Sequence, residues 1–137
     1  MHVRDAMTSV IVTAGPDHTL REAARRMNAR SVGAAVVIDE EQAGPCIITE
    51  RDILRSIGDD QAPDEERVRA HLTTDVILAA PDWPLERAAI EMVRGGFRHI
   101  MVVEGADVVG ILSMRDIMRC WTTDGATSEI ASGATLG

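Results

Sequence analysis

The chain has no lysine and no tyrosine, and its aromatic side chains are Phe97, Trp83 and Trp121 alone. Without aromatics there is no platform on which unpaired bases could stack. All 14 basic residues are arginine against 22 acidic ones, for a formal net charge of −8. That excess of anions argues against a nucleic-acid partner, which needs a surplus of cations. Arginine suits bidentate contacts to phosphate, although its use throughout the chain reads first as a genomic bias. The two cysteines, Cys46 and Cys120, make neither a metal-binding spacing nor a disulfide framework. Cys46 lies in an apolar run and reads as a small buried hydrophobe. The longest apolar run, Ala34 to Ile38, is far too short to cross a bilayer, and no signal peptide opens the chain. The expected location is the cytoplasm, with no membrane partner. No nucleophile–base pair, metal-ligand spacing or P-loop is present, which argues against an enzyme.

What the sequence does contain, it contains twice. A shift of 65 aligns Val3-Arg4 with Val68-Arg69, Thr8 with Thr73, and Pro16-Asp17 with Pro81-Asp82; over residues 3–39 there are 11 identities in 37 positions. One deletion in the following hairpin changes the shift to 64. Each copy opens with a short β-rich run, Val10 to Thr13 or Val76 to Leu78. A helix follows with apolar residues at i, i+3, i+4 and i+7: Leu20, Ala23, Ala24 and Met27, then Leu85, Ala88, Ala89 and Met92. Thr19 with Glu22 forms a capping box for the first helix, and Pro84 suits the first turn of the second. Two strands come next, residues 35–38 with 45–48 and residues 100–103 with 108–112, apolar throughout and so expected to be covered on both faces. A last helix completes a β-α-β-β-α unit. One such unit leaves an open face unburied, which predicts an α/β fold of two tandem units packed about a pseudo-two-fold axis. The expected divisions are a first unit at 1–57 with a lead-in helix, an acidic linker at 58–67, a second unit at 68–121 and a flexible tail at 122–137.

The most informative stretch is the junction of second strand and last helix, Thr49-Glu50-Arg51-Asp52-Ile53 and again Ser113-Met114-Arg115-Asp116-Ile117. A hydroxyl and a carboxylate three residues apart stand where the first helical N–H groups point outward unpaired. The same pattern is a capping box, in which both side chains serve the helix's own backbone. The box proper favours Glu or Gln at the far position, and both copies carry the shorter Asp. An Asp that does not reach back to the backbone can accept hydrogen bonds from a vicinal diol, as the ribose-binding acid of dinucleotide folds does. The two roles can also coexist, and the duplication weighs toward ligand binding.

Through Pro16 to Ala23, Pro81 to Ala88, the opening Val3-Arg4-Asp5-Ala6-Met7-Thr8 and the two hydroxyl–Asp motifs, residues 1 to about 121 resemble the CBS-domain pair, or Bateman module. The resemblance implies clefts that take an adenosine-containing ligand: AMP, ADP or ATP first, with NAD or S-adenosylmethionine as further candidates, and no obligatory cofactor. It implies that Asp52 and Asp116 take ribose hydroxyls and that Thr49 and Ser113 take ribose or phosphate. Thr13-Ala14 and Leu78-Ala79 would line the adenine pocket, and Arg98-His99 would meet phosphate. Arg51 and Arg115, in the first turns of their helices, either serve phosphate or pair with nearby carboxylates. His99 would titrate near neutral pH, while His2, His18 and His71 read as surface residues.

Two departures make the repeats unequal. Cys46 stands where the second copy has Gly110, and its side chain is expected to narrow the first cleft. Gly33-Ala34 stands where the second copy has Arg98-His99, so one repeat alone supplies a cationic pair. The expected function is a stand-alone regulatory module that senses an adenine nucleotide and acts on an unknown protein target in trans, as a homodimer with Trp121 and the lead-in helices at its contacts. The alternative is a dimeric interaction protein with degenerate, empty sites.

Overall fold

The computed structural model describes residues 1–124; the rest of the expected tail, residues 125–137, lies outside the described residues. The elements are α1 (Val3–Ala6), α2 (Leu20–Ala29), β1 (Ala34–Val37), β2 (Cys46–Thr49) and α3 (Glu50–Gly58), then a 3₁₀ turn (Val68–His71), β3 (Leu78–Ala79), α4 (Leu85–Gly95), β4 (His99–Glu104), β5 (Asp107–Ser113) and α5 (Met114–Asp124). The last helix therefore runs three residues into the segment expected to be tail.

The chain forms two compact units, one of residues 10–76 and one of residues 1–9 with 77 onward. In the first, β1 and β2 pair antiparallel with Ala34 opposite Thr49 and Val37 opposite Cys46. Leu20, Ala23 and Met27 of α2 pack with Ala35, Val37 and Ile48 of the hairpin, Ile53 of α3 and Val68 of the 3₁₀ turn. In the second, β3 pairs parallel with β4 and β4 antiparallel with β5. Leu85, Ala88 and Met92 of α4 pack with Ile100, Val102, Leu112 and Ile117, and Val3 of α1 completes the cluster. The helical stripes read from the 3.6-residue period are thus the core. Burying Leu20 and Leu85, both at 1% exposure or less, contributes about 1.5–3 kcal/mol each.

The opening strand of the first repeat is not a strand. Within Val10 to Thr13, only Thr13 bridges Val36, through Val36 N–H to Val12 O (2.8 Å) and Ala14 N–H to Val36 O (3.0 Å). In the second repeat, the strand is Leu78–Ala79 rather than 76–78.

The lead-in segments are exchanged. Val3 and Arg4 donate to Trp83 O and Pro81 O (both 2.9 Å), and Val68 and Arg69 donate to His18 O and Pro16 O (both 2.8 Å). These four contacts map onto one another through the shift of 65. The segment opening each repeat docks on the Pro-Asp turn of the other repeat, so α1 packs with the second repeat rather than with the one it precedes. A β-bridge follows in each case, Thr8 with Ile111 and Thr73 with Ile47. Gly110 lies against this docked segment: a Cβ there would lie 2.6 Å from Met7 Sδ and 3.1 Å from Thr8 O. The equivalent position in the first repeat holds Cys46, which is buried and whose Sγ lies 3.5 Å from Gly44 O.

Candidate functional site

Residues 58–67, expected to be a plain polar linker, are held to the unit of residues 10–76 by specific contacts. Asp64 pairs with Arg21, Arg67 reaches Asp17 O at 2.9 Å, and Glu66 lies 2.7 Å from His71 Nε2. His71 is consequently mostly covered rather than a surface residue. His18 is likewise engaged, its Nδ1 accepting from Gly15 N–H at 2.9 Å. Arg69 lies between Asp17 and the buried Asp39, at 3.3 Å from each. The 3₁₀ turn between this linker and Thr73 brings Thr73 alongside β2.

At the end of β2 both hydroxyl and carboxylate serve the helix. Asp52 N–H donates to Thr49 Oγ1 (3.2 Å), and Asp52 Oδ2 accepts from Thr49 N–H (2.9 Å) and Thr49 Oγ1 (2.8 Å). At the end of β5, Asp116 N–H donates to Ser113 Oγ (3.0 Å), and Asp116 Oδ2 accepts from Ser113 N–H (2.8 Å). Of the two roles left open for the Asp, the capping one is realised in both copies. The extended N-cap residue brings its own N–H over the first helical turn, so the shorter side chain suffices.

The capping geometry uses Oδ2 and leaves Oδ1 pointing out of the box. What meets Oδ1 differs between the repeats. Asp52 Oδ1 accepts from Thr73 Oγ1 at 3.1 Å, and the same hydroxyl lies 2.8 Å from Oδ2. Asp116 Oδ1 faces Arg119 at 3.4 Å, an exposed side chain beside a buried carboxylate. Neither Thr73 nor Arg119 is singled out by the motif. The identity of Thr8 and Thr73 under the shift of 65 was the available signal for the first; an Arg one helical turn beyond Asp116 is too common to be one.

The remaining candidates divide between the units. In residues 10–76, Thr13 and Ala14 flank Val36, two positions along β1 from Ala34, which stands opposite Thr49. Ala14 is buried and Thr13 exposed, its carbonyl accepting from Arg26 at 3.1 Å. Arg51 is exposed on the first turn of α3. In the other unit, His99 stands directly opposite Ser113, and Arg98 O accepts from Met114 N–H at 3.0 Å. His99, Ser113 and Asp116 thus cluster at one sheet end, with Arg98 and Arg115 exposed beside them. Ala79 is buried and Leu78 exposed, opposite Val102 and Met101.

The first repeat has the opposite electrostatic character at the equivalent place. A Cβ on Gly33 would lie 3.1 Å from the Glu50 carboxylate. Gly33 therefore admits a carboxylate where the second repeat presents Arg98. Among the described residues, no group of three or more His, Cys, Asp or Glu side chains is arranged to hold a metal ion, and no helix is long and apolar enough to cross a membrane.

Comparisons with known proteins identify the domain and its fold. The sequence model of the CBS domain matches twice, at residues 3–59 and 68–122. The uncharacterized protein MJ1225 of Methanocaldococcus jannaschii is 31% identical over 131 residues, covering 96% of this chain; the chain spans only 46% of that relative. The CBS domain protein PAE2072 of Pyrobaculum aerophilum, solved in complex with AMP, superposes with a TM-score of 0.77 at 27% identity, over 93% of this chain and 99% of that one. The CBS domain pair of protein MJ0100, solved with 5′-methylthioadenosine and S-adenosylmethionine, superposes with a TM-score of 0.78 at 26% identity, over 90% of this chain and 97% of that one.

Proposed function

Because the chain belongs to the CBS domain family and carries the domain twice, we propose that it is a regulatory module that binds an adenosine-containing ligand, with AMP, ADP or ATP foremost, and signals to a protein partner in trans. The carrying observation is the duplicated hydroxyl–carboxylate pair at a strand-to-helix junction, whose Asp Oδ1 lies outside the capping box. One oxygen holds the helix and the other is placed to accept a ribose hydroxyl, so capping and ligand binding are compatible in the same residue. The adenosine ligands of the two similar CBS proteins support the choice of ligand class.

In this reading, Asp52 and Asp116 accept from ribose, Thr49 and Ser113 supply hydroxyls, and the backbone at Thr13-Ala14 and Leu78-Ala79 lines the base. Arg98, His99 and Arg115 neutralise phosphate; Arg51 is the lone counterpart in the first repeat, opposed there by Glu50. A phosphorylated ligand is thereby directed to the residues of the second repeat. Ligand binding shifts the module between arrangements of different affinity, and that difference is what a partner reads. Homodimerisation is part of the proposal, supported by exposed Ile90, Val93, Met114, Met118 and Trp121 on α4 and α5, two helices that pack together. The reading carries no catalytic residue.

Calorimetric titration with AMP, ATP, NAD and S-adenosylmethionine tests the proposal. Saturable binding of an adenosine ligand, weakened about tenfold or 1.4 kcal/mol by Asp116→Asn, is the expected result. A folded protein that takes up none of the four is the result that replaces this reading with a pure interaction role.

A further inference from the structure

The two carboxylates are unequally satisfied by the protein itself. Asp52 Oδ2 already receives Thr49 N–H, Thr49 Oγ1 and Thr73 Oγ1 within 2.9 Å, and the Thr73 hydroxyl shares its one proton with Oδ1 at 3.1 Å. A carboxylate offers about four lone-pair positions, so little capacity is left for a second donor pair. Thr73 cannot retreat as a unit, because its backbone exchanges both hydrogen bonds with Ile47, at 2.8 and 3.2 Å. The equivalent threonine in the other unit, Thr8, exchanges the same backbone bonds with Ile111, at 2.9 and 3.0 Å. Its hydroxyl nonetheless makes no hydrogen bond to Asp116 among the described residues, and Asp116 Oδ1 meets exposed Arg119 at 3.4 Å.

We propose that Thr73 is a specificity-determining residue that makes the two repeats bind adenosine compounds unequally. Its hydroxyl holds the place at Asp52 that a ligand hydroxyl takes at Asp116. A vicinal diol arriving at Asp52 competes with an internal donor fixed at 2.8–3.1 Å; one arriving at Asp116 displaces a solvent-exposed guanidinium, a weak partner. The first repeat is therefore the weaker ribose acceptor independently of phosphate, and the difference lies in a residue from the lead-in of the second repeat. This inference rests on the ribose role of Asp52 and Asp116.

The test uses the whole protein, with adenosine as a phosphate-free probe and residue-resolved NMR titration to read each repeat separately. Thr73→Val removes the hydroxyl and keeps the shape and the backbone pairing. Thr73→Ser keeps the hydroxyl and controls for packing. The expected result is about fivefold tighter adenosine binding at the first repeat in Thr73→Val, one net hydrogen bond's worth, with wild-type affinity in Thr73→Ser and no change at the second repeat. Unchanged or weaker binding at the first repeat in Thr73→Val, with Asp52→Asn still reducing it, overturns the role of Thr73 and leaves the ribose reading intact. If Asp52→Asn and Asp116→Asn both leave adenosine binding unaltered, the ribose reading fails and this proposal with it.

Discussion

At the scale of single residues, the proposed function turns on a carboxylate that caps a helix and would also accept a ribose hydroxyl. Asp116 caps α5 through Oδ2, is buried, and meets exposed Arg119 through Oδ1. Asp116→Ala removes the cap and is expected to cost about 1 kcal/mol of stability, whereas Asp116→Asn keeps a side-chain acceptor and costs less. Denaturant melts of both variants check this, and they identify Asn as the substitution that separates ligand loss from helix fraying. Arg98→Gln is expected to weaken AMP about tenfold while leaving adenosine within twofold, since only the phosphate uses the charge. Equal losses for both ligands would place Arg98 elsewhere. Cys46 makes a third residue-level expectation. Burial, reinforced by nearby Asp39, pushes its thiol above the ordinary range, so it stays protonated at neutral pH and reacts with thiol reagents only as fast as the unit opens.

At the scale of elements, the helices, the hairpins and the hydroxyl–Asp junctions were legible because each carries its own periodicity or local pattern. The exchange of lead-ins was not. A duplicated sequence aligns equally well whether Val3 docks on its own repeat or on the other, and the choice is made by three-dimensional contacts between Val3 and Trp83 O or Val68 and His18 O. The strand expected at Val10 to Thr13 failed for a related reason. β-Branched residues report how well a side chain suits a sheet, not how long a partner edge is available, and only Thr13 meets β1. Thr73 escaped notice as a site residue because its link to Asp52 spans 21 positions and depends on the docked 3₁₀ turn. The exchange also makes Gly110 a sensitive position. Gly110→Ala forces Met7 and the Thr8 carbonyl aside and is expected to destabilise the protein by about 1–3 kcal/mol, read as a lowered midpoint in urea. An unchanged midpoint would mean that the lead-in is not held as described.

At the scale of the whole molecule, the two repeats differ on their helical surfaces. Ile90, Val93 and Met114 correspond to Arg25, Asn28 and Glu50. The α4–α5 surface is thus the more apolar of the two, with Val93 78% and Met118 58% exposed, although Leu54 and Ile57, the counterparts of Met118 and Trp121, are exposed on α3 as well. An exposed apolar surface of this kind supports the proposed association. Sedimentation is expected to show a dimer that Met118→Glu with Val93→Glu converts to monomer without loss of fold. A monomeric wild-type protein would count against that face. Arg98, His99 and Arg115 lie together beside Ser113 and Asp116, and on that grouping rests the proposal that phosphate goes to the second repeat.

The most direct measurement of the central claim is a two-dimensional amide NMR titration of the intact protein with AMP. Saturable shifts centred on Ser113, Asp116 and the Arg98-His99 segment, smaller or later at Thr49 and Asp52, are predicted, and Asp116→Asn should abolish the first set. Shifts confined to other surfaces, or the absence of any saturable change, would contradict the account and leave the two junctions as helix caps alone.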